Sequence, residues 1–231
     1  MVRIKGWVDT VRDQKSMQFI IALACRAMRL LPAEALTAAT MIGGCCVPGP
    51  VTSLPVTLHP QETGMWCWAA SGQMVMHYLG NNVDQCTQAN NRFGRTDCCT
   101  IDLCPPPTQP APAWPNPCGC VCGGWPEFDK YGFTFSRTTN APLSWGDLKE
   151  QLSDASYCKN KPFAFAWHWP GGGGHMMVVK GYVELAIGRF VVMLDPWSPC
   201  AGDERIITYD YYVESPGHHT HWDDYYDVTR R

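Results

Sequence analysis

Seven of the chain's thirteen cysteines fall between residues 86 and 122, in a stretch also crowded with proline. "CTQANNRFGRTDCCTIDLCPPPTQPAPAWPNPCGCVCGGWPEF" offers too little apolar surface to order itself by packing, and proline and the residue before it disfavour helix. The pattern predicts a loop region held by covalent staples, an insertion at about 86–126. Zinc is the other reading of "CGCVC" with Cys98, Cys99 and Cys104. Structural zinc sites show wider C-x₂₋₄-C pairs, however, so disulfides are the expectation and no metal or other cofactor is called for. Thirteen cysteines are many for a reducing cytosol. Setting one aside leaves twelve, an even number compatible with disulfides, and points to secretion or another form of export.

A chain of 231 residues suits one large domain, or a domain with an extra segment, and can bury a proper core. A net charge of −3 and a pI near 6.1 exclude the basic stripe that nucleic acid would want. Residues 1–50 differ from the rest: "MQFIIALACRAMRLLPAEALTAATMIGGCC" is apolar and alanine-rich. It reads as a leader or export signal starting at Met17, or as an amphipathic pro-segment, because Arg26, Arg29 and Glu34 interrupt the apolar run. No apolar run reaches the ~20 residues that span a bilayer.

Residues 51–231 read as one domain. From Met65 to Leu79, Ala70, Met74, His77 and Tyr78 recur at helical spacing and "GNN" stops the pattern, which predicts a helix starting near Cys67. "LSWGDLKEQLSDA" predicts a second helix, with Ser144 at the N-cap and Asp147 near its positive end. "KPFAFAWHW", "HMMVVKGYVEL" and "RFVVMLDPW" are β-branched and aromatic runs bounded by glycine and proline, the signature of strands. Helix first and sheet later gives an α+β fold, an N-terminal helical part packed on a C-terminal antiparallel sheet.

Two local settings carry chemistry. Cys67, in "QETGMWCWAASGQMV", opens a helix, where unpaired N–H groups and the dipole favour an anion. Thiols near such ends and beside an imidazolium ionise more readily, and the thiolate is the nucleophile. His175 follows four glycines and begins a strand; the next strand ends in Asp195. A turn near "AIGR" makes the two strands a hairpin, which returns Asp195 towards His175, where it would fix the ring's tautomer.

With these three motifs in hand, the chain resembles the papain-like cysteine proteases. Gln61, Cys67 and Trp68 reproduce that family's glutamine six residues before the nucleophile and the tryptophan after it. His175 with Gly181 and Tyr182, then Asp195 with Trp197, match its histidine strand and the strand that follows. The match is strongest to a bacterial branch with "CWAA" and an aspartate third member, which includes effector-type and bacteriocin-leader peptidases.

The resemblance implies a peptide substrate and a cysteine endopeptidase acting through an acyl-enzyme. It implies Cys67 as nucleophile, His175 as base and then acid, and Asp195 as orienter. Gln61, with the backbone N–H of Cys67, would serve the oxyanion. Trp197 would shield the His–Asp bond, and Gly123 and Gly124 would form a backbone edge for substrate. Plant-type members carry a cysteine three residues before the nucleophile; here Gly64 stands there, so their disulfide pattern does not transfer.

Rival readings are an acyltransferase or transglutaminase-like enzyme on the same fold, in which an amine resolves the acyl-enzyme, or a non-catalytic stapled binding module. A monomer is expected. "GHHTHWDD" reads as a surface loop feeding a last strand rather than a metal site, and His59, His77 and His168 as lone histidines.

Overall fold

The structure, a computed structural model, describes residues 44–100, 104 and 119–231. The leader reading for the first fifty residues therefore lies largely outside the described residues. The architecture is α+β: an antiparallel sheet with few helices.

Eight strands make the sheet: β1 (Val51–Ser53), β2 (Phe133–Arg137), β3 (Phe163–His168), β4 (Gly174–Leu185), β5 (Gly188–Asp195), β6 (Asp203–Thr208), β7 (Glu214–Ser215) and β8 (His219–Arg230). The strand order is β2-β8-β3-β4-β5-β6, with β1 added to β4 and β7 to β8. Strands β3 to β5 are apolar on both faces and form the middle of the core, with Phe163, Phe165, Met177, Val179 and Met193 fully buried. The predicted hairpin is present: β4 and β5 pair from Val178↔Leu194 to Leu185↔Gly188, so the chain reverses at Ala186–Ile187.

Helix α1 (Cys67–Tyr78) starts where the spacing predicts and packs on β4 and β3. Its buried face holds Trp68, Ala69, Met74, Val75 and Met76. Helix α3 (Trp145–Leu152) is capped by Ser144, whose hydroxyl oxygen accepts from the Asp147 N–H. A short α4 (Tyr209–Val213) follows β6.

Two expectations are corrected. The first part of the cysteine-rich stretch is a helix, α2 (Gln85–Phe93), because Gln85, Gln88 and Ala89 give it a buried face and Gly94 closes it in the left-handed conformation. Only Gly217 and His218 of "GHHTHWDD" form an exposed turn before the last strand; His219, His221, Asp223 and Asp224 are buried within β8.

The staples are disulfides. Cys86 pairs with Cys99, Cys98 with Cys120, Cys104 with Cys200 and Cys46 with Cys158. Cys98, Cys99, Cys104 and Cys120, four of the cysteines considered for zinc, are therefore committed to sulfur partners.

Candidate active site

Cys67 is the free cysteine among the described residues and is half-buried. Both flanking tryptophans are buried and used. Trp66 donates its indole N–H to the Cys120 carbonyl at 2.8 Å, and Trp68 donates to the Cys122 carbonyl at 3.1 Å. Cys67 is thus fixed between two anchors, and the segment leading to Gly123 and Gly124 is held beside it. No side chain caps α1, and its first turn has no acidic residue, which leaves the N–H groups of that end open to an anion.

His175 is the second residue of β4. The chain turns at Trp169–Gly173, with Gly172 and Gly173 at positive φ, and Gly174 then lies against β3. A Cβ on Gly174 would sit 2.1 Å from the Trp167 carbonyl oxygen, so glycine is required for His175 to enter the sheet where it does. Pairing of Val178 with Leu194 puts position 195 on the face that carries His175, one pleat away.

His175 Nε2–H donates to Asp195 Oδ1 at 2.6 Å, and Asp195 Oδ1 also accepts the Trp197 N–H at 2.9 Å. The Cys67 side chain acts on the same imidazole and favours its charged form; with Nε2 taken by Asp195, Nδ1 is the nitrogen left for sulfur. Burial disfavours the charged ring, but the bonds to Asp195 and Cys67 outweigh it and push the His175 pKa up to about 9. Burial also acts against the Asp195 carboxylate, and His175, the Trp197 N–H and Arg205 more than reverse this, holding it below the usual carboxylate value.

Gln61 is buried, and its Nε2 donates to the Thr63 carbonyl at 2.6 Å while Oε1 has no partner among the described residues. Its backbone is tied to the segment after β5: Gln61 N–H donates to the Pro196 carbonyl at 3.0 Å, and the Cys200 N–H donates to the Gln61 carbonyl at 2.9 Å.

Gln61, Cys67, His175 and Asp195 line one cleft of about 730 Å³, which Gly123, Gly124 and Trp197 also border. Every residue singled out from the sequence for this site therefore meets in one place. Gly124 admits no side chain, since a Cβ would lie 2.9 Å from Trp68 Cε2 and 2.5 Å from Arg92 Nε. Trp197 is half-exposed and engages Asp195 through its backbone rather than through its indole.

Sequence reasoning missed Arg205, whose Nη1 lies 3.2 Å from Asp195 Oδ2, and the aromatic wall of Trp125, Trp167, Trp169 and Tyr211. Alternation along "DERIIT" is the signal that places Arg205 on one face of a strand, but the partner strand has to be known before it can point to Asp195.

The remaining histidines have other partners. His59 and His77 face each other at 2.8 Å, His168 ends β3 in solvent, and His221 Nε2 lies 3.0 Å from Asp224 Oδ1 in the core.

A half-buried imidazole with an orienting carboxylate on one nitrogen and a thiol in the same cleft can hold a proton, release it to a leaving group and recover it. No curated protein matches the chain. Residues 50–108, which include Gln61, Cys67, α1 and α2, match the model of a family described as papain-like cysteine protease AvrRpt2, and this similarity supports a papain-like cysteine protease.

Proposed function

We propose that the chain is a cysteine endopeptidase that cleaves polypeptides through an acyl-enzyme on Cys67, within one peptidase domain spanning residues 51–231. The observation that carries this reading is the His175–Asp195 hydrogen bond with Cys67 lining the same open cleft. The family match supports a cysteine protease in general.

For the attack the Cys67 thiol gives its proton to His175, which carries it as imidazolium. The sulfur attacks the scissile carbonyl, and the developing oxyanion is met by the backbone N–H of Cys67 and the second N–H of the Gln61 amide. Its first N–H is spent on Thr63, which fixes the amide's orientation. His175 then gives its proton to the departing amine. Water, deprotonated by the now neutral ring, attacks the thioester and returns free Cys67. Asp195 keeps the proton of the neutral ring on Nε2, so that Nδ1 stays available as base. The described disulfides support work in an oxidising compartment. Among the described residues no helix is long and apolar enough to cross a membrane.

The test is digestion of a dye-labelled unfolded protein by the wild type and by Cys67→Ala. The wild type releases peptides, and the variant retains the fold with hydrolysis abolished. Equal digestion by both would overturn the mechanism.

A further inference from the structure

Asp195 has more partners than a triad needs, and they divide between its two oxygens. Oδ1 takes both His175 Nε2–H and the Trp197 N–H. Oδ2 faces Arg205 Nη1 at 3.2 Å. The sheet register explains this contact. Met193 pairs with Arg205 and Asp195 with Asp203, so Arg205 and Asp195 are diagonal neighbours on one face, a separation that long side chains bridge. Asp203 Oδ2 lies 3.2 Å from Arg205 Nε and steadies the guanidinium from its own strand.

We infer that Arg205 is a positioning residue of this site, gripping Asp195 Oδ2 so that Oδ1 stays turned to His175. The inference rests on the proposed thiol-peptidase reading. A carboxylate rotates about χ2 over a broad, roughly two-fold profile, so one bonded oxygen alone leaves its plane weakly fixed. Strand-held donors on both oxygens remove that freedom. The cation also favours the ionised carboxylate, which is the form that accepts from the ring. Arg205 is half-exposed and touches the cleft wall, so its own desolvation penalty is small.

The experiment compares wild type, Arg205→Gln and Arg205→Lys for kcat and KM on one peptide substrate across pH, with thermal unfolding alongside. It also follows the pH dependence of Cys67 alkylation by iodoacetamide, which needs no turnover. For Arg205→Gln the expectation is a fall in kcat of about tenfold, the low end for a hydrogen bond to a charged group, with KM within about twofold. The acid limb should move to higher pH in both turnover and alkylation, because Asp195 loses its cation. Arg205→Lys should recover part of both effects and remains informative if the glutamine variant does not fold. An acid limb and kcat identical to wild type in a folded variant would overturn the inference while leaving the peptidase reading intact. A wild type that cleaves no peptide would instead remove the reading on which the inference rests.

Discussion

The indole N–H of Trp66 reaches the carbonyl oxygen of Cys120 at 2.8 Å, across 54 positions of sequence. The residue immediately before the candidate nucleophile thereby sets the height of the cysteine-rich wall on the other side of the cleft. Trp68 repeats the contact one side-chain pitch further on, at Cys122, and the next two residues are Gly123 and Gly124. Covalent staples give this wall its order, and the two tryptophans give it its place.

Replacing Trp66 by Phe keeps an aromatic ring in the core but leaves the Cys120 carbonyl without its donor. An unsatisfied buried acceptor costs about 1–3 kcal/mol, to be read as a lower urea midpoint with an unchanged slope. KM should rise as the wall loosens. Unchanged stability and KM would show that the contact does not position the wall.

Gly124→Ala is expected to harm the same wall by crowding. The added methyl meets Trp68 Cε2 at 2.9 Å and Arg92 Nε at 2.5 Å. Overpacking of this kind costs about 1–3 kcal/mol. The variant should therefore melt earlier and bind peptide substrate more weakly, whereas a KM equal to wild type would deny the wall a role in binding.

The pH profile follows from the direction of two shifts. His175 is raised from 6.5 to about 9, so the stability that its charged form contributes is complete below 6.5 and is lost as pH rises through about 9. Asp195 is lowered from 3.8, so its contribution is present above that value and is lost as pH falls through the depressed one. A plot of kcat/KM against pH should show an alkaline limb near 9, and Asp195→Asn should move that limb downward and reduce kcat by up to ~10⁴. An alkaline limb that does not respond to Asp195→Asn would separate the aspartate from the ring's charge.

Much of this site was legible in the chain because its signals are local. Cys67 at a helix start, His175 after glycines and Asp195 at a strand end each follow from patterns a few residues long, and the hairpin joins the last two. Arg205 was not legible, because its role depends on β6 pairing with β5, and "DERIIT" is too exposed to read as a buried strand. The helix α2 was hidden by the polar composition of "QCTQANNRF", whose buried face is built largely from glutamine amides that bond backbone carbonyls, as Gln88 does to Ala69 and Val83. The histidines of β8 misled for a similar reason: hydrogen bonds to Tyr211 and Tyr212 carbonyls let His219 and His221 be buried, and no sequence pattern announces them.

Reduction should act on the scaffold in the opposite sense to its usual effect on a thiol nucleophile. The Cys104–Cys200 bond closes a separation of 96 residues, and Cys200 also holds the Gln61 carbonyl through its N–H. In the chain-entropy account a loop of that size is worth about 4.7 kcal/mol. Removing the bond by Cys104→Ser with Cys200→Ser should lower the melting temperature and kcat together, although Cys67 stays free. Equal activity with and without the bond would show that the placing of Gln61 does not depend on this disulfide.

The central claim is the covalent step on Cys67, and acid-quenched intact-mass measurement reads it directly. Mixed with an activated ester of a short peptide and quenched during turnover, the wild type should gain the mass of one acyl group, mapped to Cys67 by peptide analysis. Cys67→Ala should gain none. Turnover by the wild type with no adduct on Cys67, or with the acyl group on another residue, would contradict the account.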